Sequence, residues 1–330
     1  MKGFDEQFID FPDYIVGITR SIWEGRELAG LHRYYAKDIV VRSPEAVITG
    51  NEGVIAATMA TLAEFPDREL LGEDVIWCGD PEQGMLSSHR ILSRASHLGS
   101  GVYGEATGKA IEYRIIADCH ARENRIDDEW LIRDQSAIVR QLGMSPKEYA
   151  RRSIASERER GAPKPPLSEK TDIQGPYRGK GNDNEWGQRL ADILTRIMAA
   201  DFSAIPKEYD RACELAYPGG VSAHSHDGAD RFWMGLRASF PAATFNIHHV
   251  IGLSDPSMPP RAAVRWSLCG GHDGWGSFEA PTGADVYILG ITHAEFGAVV
   301  GSQPRLRREW TLIDESAVWK QILLASETLP

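Results

Sequence analysis

Residues 89–108, HRILSRASHLGSGVYGEATG, and residues 264–283, VRWSLCGGHDGWGSFEAPTG, are one pattern written twice. Arg90 stands over Arg265, His97 over His272, Gly99 over Gly274, Gly101 over Gly276 and Thr107–Gly108 over Thr282–Gly283, all at an offset of 175 residues. Self-similarity at a fixed offset is the mark of a duplicated unit. Upstream, the same offset pairs Gly53 with Gly228, Met59 with Met234, Phe65–Pro66 with Phe240–Pro241, Val75–Ile76 with Val250–Ile251 and Asp80–Pro81 with Asp255–Pro256. Downstream it becomes 180, pairing Glu129–Trp130 with Glu309–Trp310, Asp134 with Asp314, Ser136–Ala137 with Ser316–Ala317 and Gln141 with Gln321. The five extra residues fall in HAEFGAVVGSQPRLRREW, where Gly297, Gly301 and Pro304 mark a hairpin loop that tolerates insertion.

The chain of 330 residues is about twice the usual domain length, so each copy can bury a full core. Between the copies, KEYARRSIASERERG has the composition to extend a helix, and APKPPLSEKTDIQGPYRGKGNDN is polar and rich in Pro and Gly, as linkers are. The expected boundaries are 1–143 for the first copy, 144–185 for a charged linker and 186–330 for the second copy.

Within a copy, apolar residues recur every three or four positions in YIVGITRSIWEGRELAGLHRYY, matched by WGQRLADILTRIMAADFSAIPKEY, which predicts an amphipathic helix. A second helix follows in GVIAATMATLAEF and in ADRFWMGLRASF, each stopped by Phe-Pro. Strand patterns come next: ELLGEDVIWCG, MLSSHRILSRASH, KAIEYRIIADCHAR and IDDEWLIRDQSAIVR, separated by Gly, Asp and Pro. Helices followed by an antiparallel meander define an α+β class in which helices cover one face of a curved sheet. Such a sheet can wrap a pocket.

A formal net charge of -11 argues against a nucleic-acid partner, because phosphate binding needs clustered Lys and Arg. No run approaches the ~18 apolar residues of a membrane span, and MKGFDEQFIDF lacks the basic and apolar regions of a secretion signal. A cytoplasmic location is expected. Cys78, Cys119, Cys213 and Cys269 are scattered and read as small buried thiols, with no spacing that suits zinc.

The runs FPAATFNIHHVIG, AAVRWSLCGGHDGWGSFEAPTG and REWTLIDESAVWKQI resemble the SnoaL-like polyketide cyclases, within the superfamily of ketosteroid isomerase and nuclear transport factor. FPDRELLGEDVIW, HRILSRASHLGSGVYGEATGK and DEWLIRDQSAIVRQLG carry the same resemblance in the first copy, and the linker carries none. The resemblance implies two tandem cone-shaped α+β barrels, no cofactor and a small-molecule substrate. It also implies a catalytic Asp on the last strand and a His on the strand before the Thr-Gly turn: Asp134 and His97 in the first copy, Asp314 and His272 in the second.

Strand alternation bears on the same residues. Trp130, Ile132 and Asp134 share a face, as do Trp310, Leu312 and Asp314, and a carboxylate aimed with them at an interior has its pKa raised by desolvation, as a general base requires. The plainer role for each Asp is to cap the short helix that DQSAIVRQLG or DESAVWKQI suggests. His89, Ile91, Ser93, Ala95 and His97 share a face, as do Trp266, Leu268, Gly270 and His272; each glycine-flanked His is otherwise a strand-end residue with a backbone partner. Asp118 and His120, with His293 and Glu295 at their places in the second copy, form either a catalytic support or a surface ion pair. His224, His226 and Asp227 in VSAHSHDGAD read as a polar helix-capping loop, with metal ligation the less favoured alternative.

The expected activity is cofactor-free acid/base chemistry on a small carbonyl compound, of cyclase, isomerase, dehydratase or hydrolase type, with the residues above lining the pockets. The second copy, with Trp266, Pro281 and the His224 loop, reads as the better preserved site. The alternative is a non-catalytic binding or assembly module. Packing of the two copies as an internal pseudodimer, and a further homo-oligomer, also fit such domains.

Overall fold

The computed structural model describes residues 1–297 and 304–326. Packing divides the chain into two compact units, Met1–Gly179 and Lys180–Pro330. The hairpin loop expected around Gly301 lies outside the described residues.

The first unit opens with helix α1 (Phe11–Thr19), which Asp10 caps by accepting from the Asp13 N–H and which carries Pro12 in its first turn. A π-helical turn (Arg20–Glu24) continues it. The single long helix expected here stops at Gly25, and Arg26 takes a left-handed φ of 59° before a short helix α2 (Gly30–Tyr34) begins. The chain then forms two strands for which the sequence reading gave no expectation, β1 (Tyr35–Ser43) and β2 (Ala46–Thr49). Helix α3 (Asn51–Glu64) follows, then the meander β3 (Glu69–Asp80), β4 (Gly84–Ser96), β5 (Ala110–Arg122) and β6 (Arg125–Arg133). Strand order is β2-β1-β6-β5-β4-β3, antiparallel throughout except for the parallel β1–β6 pair. Helix α4 (Gln135–Leu142) ends at Gly143, whose φ of 98° supplies the left-handed cap that residues with a side chain rarely adopt.

Residues 144–179 do not hang free. Ser145 caps α5 (Pro146–Glu159), which buries Tyr149, Ala150 and Ile154. The Pro/Gly-rich stretch then lies on the first sheet: Arg42 pairs with Asp172 and Asp128 at 2.5 Å each, it donates to the Ile173 carbonyl, and Asp128 accepts from the Tyr177 N–H. The compact unit therefore runs to Gly179, beyond the boundary expected at 143.

The second unit repeats this plan with α6 (Glu185–Met198), α7 (Ala204–Glu208), β7 (Tyr209–Tyr217), β8 (Val221–His224), α8 (Ser225–Ser239), β9 (Thr244–Leu253), β10 (Arg261–Gly271), β11 (Asp285–Gly297), β12 (Arg305–Ile313) and α9 (Glu315–Ser326). Its strand order, β8-β7-β12-β11-β10-β9, is that of the first sheet. Both units are thus α+β with a six-stranded sheet. Among the described residues no helix is long and apolar enough to cross a membrane.

Candidate active site

Strand alternation in the first unit sends His89 and Ile91 of β4, Ile115, Ala117 and Cys119 of β5, and Glu129, Leu131 and Arg133 of β6 to the face under the helices. There they line a cavity of about 130 Å³, closed by Ile15, Ile18 and Trp23 and by Val54, Thr58 and Thr61 of α3. Its register forms three rows: Cys119 opposite Glu129, His89 opposite Ala117 and Leu131, and Ile91 opposite Ile115 and Arg133. The volume suits a single-ring molecule, since an apolar cavity of about 150 Å³ holds benzene.

Among the ionisable groups that line this chamber, an acid and an imidazole are left with open valences. Glu129 is 6% exposed, and its Oε2 has no hydrogen-bond partner. Burial pushes its pKa up to about 7; a hydrogen bond with Tyr35 acts against that rise, and neighbouring Asp128 adds to it. His89 is 2% exposed with Nε2 unpartnered, and burial, aided by Arg90, pulls it down to about 4. At neutral pH the chamber thus holds a carboxyl poised to exchange a proton beside a neutral imidazole. Cys119 shares the chamber, but burial holds its thiol well above the usual range, so it is not a nucleophile.

The residues singled out from sequence stand elsewhere. Asp134 follows the end of β6 and caps α4, accepting from the Ala137 N–H at 3.0 Å and the Ser136 hydroxyl at 2.9 Å. Trp130 lies on the opposite sheet face, under the Arg42 guanidinium at 4.5 Å and beside Tyr177. The assumption that Trp130 points inward failed because the 172–177 segment buries that outer face as well. Asp118 is paired with Trp130 across the strands, and His120 Nδ1 meets Asp127 at 2.5 Å under the Tyr177 ring, so both lie on the outer face and not in the chamber. His97 is fully buried at the end of β4, bonded to Thr107 at 3.1 Å and Glu64 at 3.3 Å; Glu64 in turn accepts from the Val102 and Tyr103 N–H groups. That network pins the loop before the Thr-Gly turn. Asp134→Ala should cost about 1 kcal/mol of stability through the lost cap, with catalysis unchanged; chemical denaturation beside an activity assay checks this.

In the second unit the chamber is filled. Trp266 replaces Ile91 and Trp233 replaces Thr58; both are fully buried, with ring centroids 6.1 Å apart. The Trp266 indole lies where a side chain at Gly290, the counterpart of Ile115, would be, since a Cβ there would sit 2.2 Å from the ring. Its N–H donates to Thr292, which bonds Thr311, which donates to Glu309. Glu309 corresponds to Glu129, but its oxygens are engaged by Thr311, Tyr209 and Tyr217. Burial raises its pKa, and those hydrogen bonds oppose the rise.

The remaining second-copy candidates are also dispersed. Asp314 accepts from the Ser316 and Ala317 N–H groups, as a helix cap does. His272 is buried, bonded to Thr282 and lowered in pKa by desolvation. His293 and Trp310 are cross-strand partners on the outer face. His224 precedes α8 without a side-chain capping bond, and His226 Nε2 meets the Tyr209 carbonyl at 3.2 Å. No group of three or more His, Cys, Asp or Glu able to hold a metal occurs among the described residues. The expectation that the second copy keeps the better site is therefore reversed in geometry: the open chamber with unpartnered acid and imidazole is in the first.

An α+β cone with helices over a curved sheet and a small-molecule-sized chamber defines the class of the first unit. Residues 14–142, most of this unit, match the family model of the SnoaL-like polyketide cyclases. Among solved structures it is similar to IdmH of Streptomyces antibioticus, a proposed polyketide cyclase, at 25% identity over 40% of this chain and 98% of that one (TM-score 0.36). It is also similar to AclR of Streptomyces galilaeus, a proposed hydroxylase, at 17% identity over 40% and 94% (TM-score 0.35). A proposed SnoaL-like polyketide cyclase from Jannaschia sp. CCS1 matches at 13% identity over 45% and 99% (TM-score 0.34). Among curated proteins there is no significant match.

Proposed function

We propose that the first unit is an acid/base enzyme that moves a proton next to the carbonyl of a small organic molecule, with Glu129 as the base and His89 as the group that steadies the enolate. The observation that carries this reading is that Glu129 and His89, each with a buried side-chain atom lacking a hydrogen-bond partner, line the same chamber. A carboxyl with pKa near 7 is matched to abstracting a proton at neutral pH and returning it. A neutral imidazole lining the same chamber can donate a hydrogen bond to the oxygen on which charge develops. Cyclisation, isomerisation and dehydration all pass through such a step, so the reaction class is enolisation. The second unit, whose chamber is filled by Trp233 and Trp266, is read as a non-catalytic copy retained for its fold.

The test is α-proton exchange into deuterium oxide from single-ring ketones such as cyclohexanone, followed by proton NMR. Wild-type protein should exceed the buffer rate. The double variant Ile91→Trp/Ile115→Gly, which copies the Trp266–Gly290 packing into the first unit, should return it to the buffer rate while the protein stays folded. Full exchange in the filled variant would place the chemistry elsewhere.

A further inference from the structure

The end of the first-unit chamber away from Glu129 is cationic. Arg68, just before β3, and Arg133, the last residue of β6, both line it. Arg68 is 9% exposed, and the Nε atoms of both residues lack hydrogen-bond partners. Burial lowers the pKa of Arg68, and Arg133 adds to that; burial opposes the charge on Arg133 as well, but Tyr113, Tyr103 and Glu45 favour it and raise its pKa. The two charges are close enough to act on each other and on buried Tyr113: burial works to raise that phenol's pKa, and Arg68, Arg133 and a hydrogen bond with Ser93 together lower it.

A buried Arg68 guanidinium whose Nε has no hydrogen-bond partner, with a second arginine near it, is unfavourable in an empty chamber. The second unit shows that the fold does not need them, because Arg68, Arg133 and Tyr113 correspond there to Ala243, Ile313 and Ile288. A planar fork of N–H donors suits a carboxylate, which it can grip through two parallel bonds. Arg133 is four residues from Glu129 on one strand, about 13 Å between Cα atoms, with the His89 row between them. Long side chains at the two ends narrow that gap to the length of a ring bearing one substituent.

We propose that Arg68 and Arg133 clamp the carboxylate of the substrate, so that the first unit acts on a small organic acid whose reactive carbonyl is held toward His89 and Glu129. The proposal rests on the first-unit chamber being the substrate site and adds the substrate class to that reading. Its test therefore reads binding and not turnover.

Benzoate and its neutral isostere benzamide are titrated into the full chain by calorimetry at low salt. Benzoate should bind at least tenfold more tightly. Arg68→Met and Arg133→Met should each weaken benzoate at least tenfold and leave benzamide within about twofold, whereas Arg68→Lys, which keeps the charge, should retain a preference for benzoate. Arg68→Met should also melt no lower than wild type, since it removes a charge that burial and Arg133 disfavour. Equal affinity for benzoate and benzamide, undiminished benzoate binding in Arg68→Met, or a lower melting temperature in Arg68→Met would overturn the clamp. Glu129→Gln should still bind benzoate. A clear benzoate preference with no ketone exchange in wild type would sink the enolisation chemistry and leave the clamp standing.

Discussion

Glu129→Gln should lower the rate of ketone α-proton exchange by about 10²–10⁴-fold, the range a positioned general base contributes, while leaving the fold intact. Glutamine has nearly the shape of glutamic acid and keeps an oxygen for Tyr35, but it cannot take a proton. The wild-type rate should rise with pH and level off above about 7, following ionisation of Glu129. The variant should show no such rise. A wild-type profile that levels off near pH 4 would mean that the base is an ordinary exposed carboxylate.

The same substitution has a stability signature of defined sign. Between its ordinary value of 4.5 and its native value of about 7, Glu129 holds a proton that the unfolded chain has released, so its contribution weakens as pH rises. His89 acts the other way: between about 4 and its ordinary 6.5 the unfolded chain binds a proton that the native chain refuses, so stability rises with pH. The two slopes offset each other between pH 4.5 and 6.5. In Glu129→Gln the His89 slope remains alone, and stability should climb more steeply across that window. Above pH 7 the variant should be the more stable protein, by an amount on the order of 3 kcal/mol at most, because it no longer buries an ionised carboxylate. Denaturant melts at pH 5 and pH 8 provide the check. Equal stability at pH 8, with exchange lost, would mean that Glu129 is solvated in the native state.

The duplication was legible because it rests on backbone-determining residues. His97, Gly99 and the Thr107–Gly108 turn pin a loop against Glu64 and the end of α3, and their counterparts recur in fixed order. The meander was legible for the same reason, since each strand carries its own alternation and ends in turn residues. The site was less so, because the two faces of β6 mislead. Trp130, Ile132 and Asp134 look like an inward face, and Glu129, Leu131 and Arg133 like a solvated one. Packing of residues 172–177 on the outer face and the charged lining of the chamber invert that reading. Polar residues inside and apolar residues outside are what a functional cavity imposes on a strand. The usable signal was the Glu-Trp pair kept in both copies: if Trp130 and Trp310 share a face, then Glu129 and Glu309 share the other. The Arg68 and Arg133 pair left no such trace, since neither is repeated, and only the fold brings them together.

Trp266→Ala should destabilise the second unit by about 3–5 kcal/mol, the cost of removing a fully buried large aromatic side chain that cannot be replaced by collapse. Collapse is restricted on three sides. Trp233 is fully buried, Phe245 is 5.6 Å away, and Gly290 offers no side chain to move into the gap. Loss of the indole N–H leaves Thr292 its bond to Thr311, so the polar chain to Glu309 persists and the cost is chiefly cavity. A ring-sized apolar void can be refilled from solution, so indole should restore part of the lost melting temperature in Trp266→Ala and change wild type little. Exchange by the first unit is the internal control and should stay within about twofold of wild type under conditions where the variant is folded. If Trp266→Ala melts like wild type, the second chamber is loosely packed, and the assignment of a filled, non-catalytic copy falls with it. If it instead acquires ketone exchange of its own, Glu309 needs only space to act as Glu129 does, and packing by Trp266 is what silences the second copy.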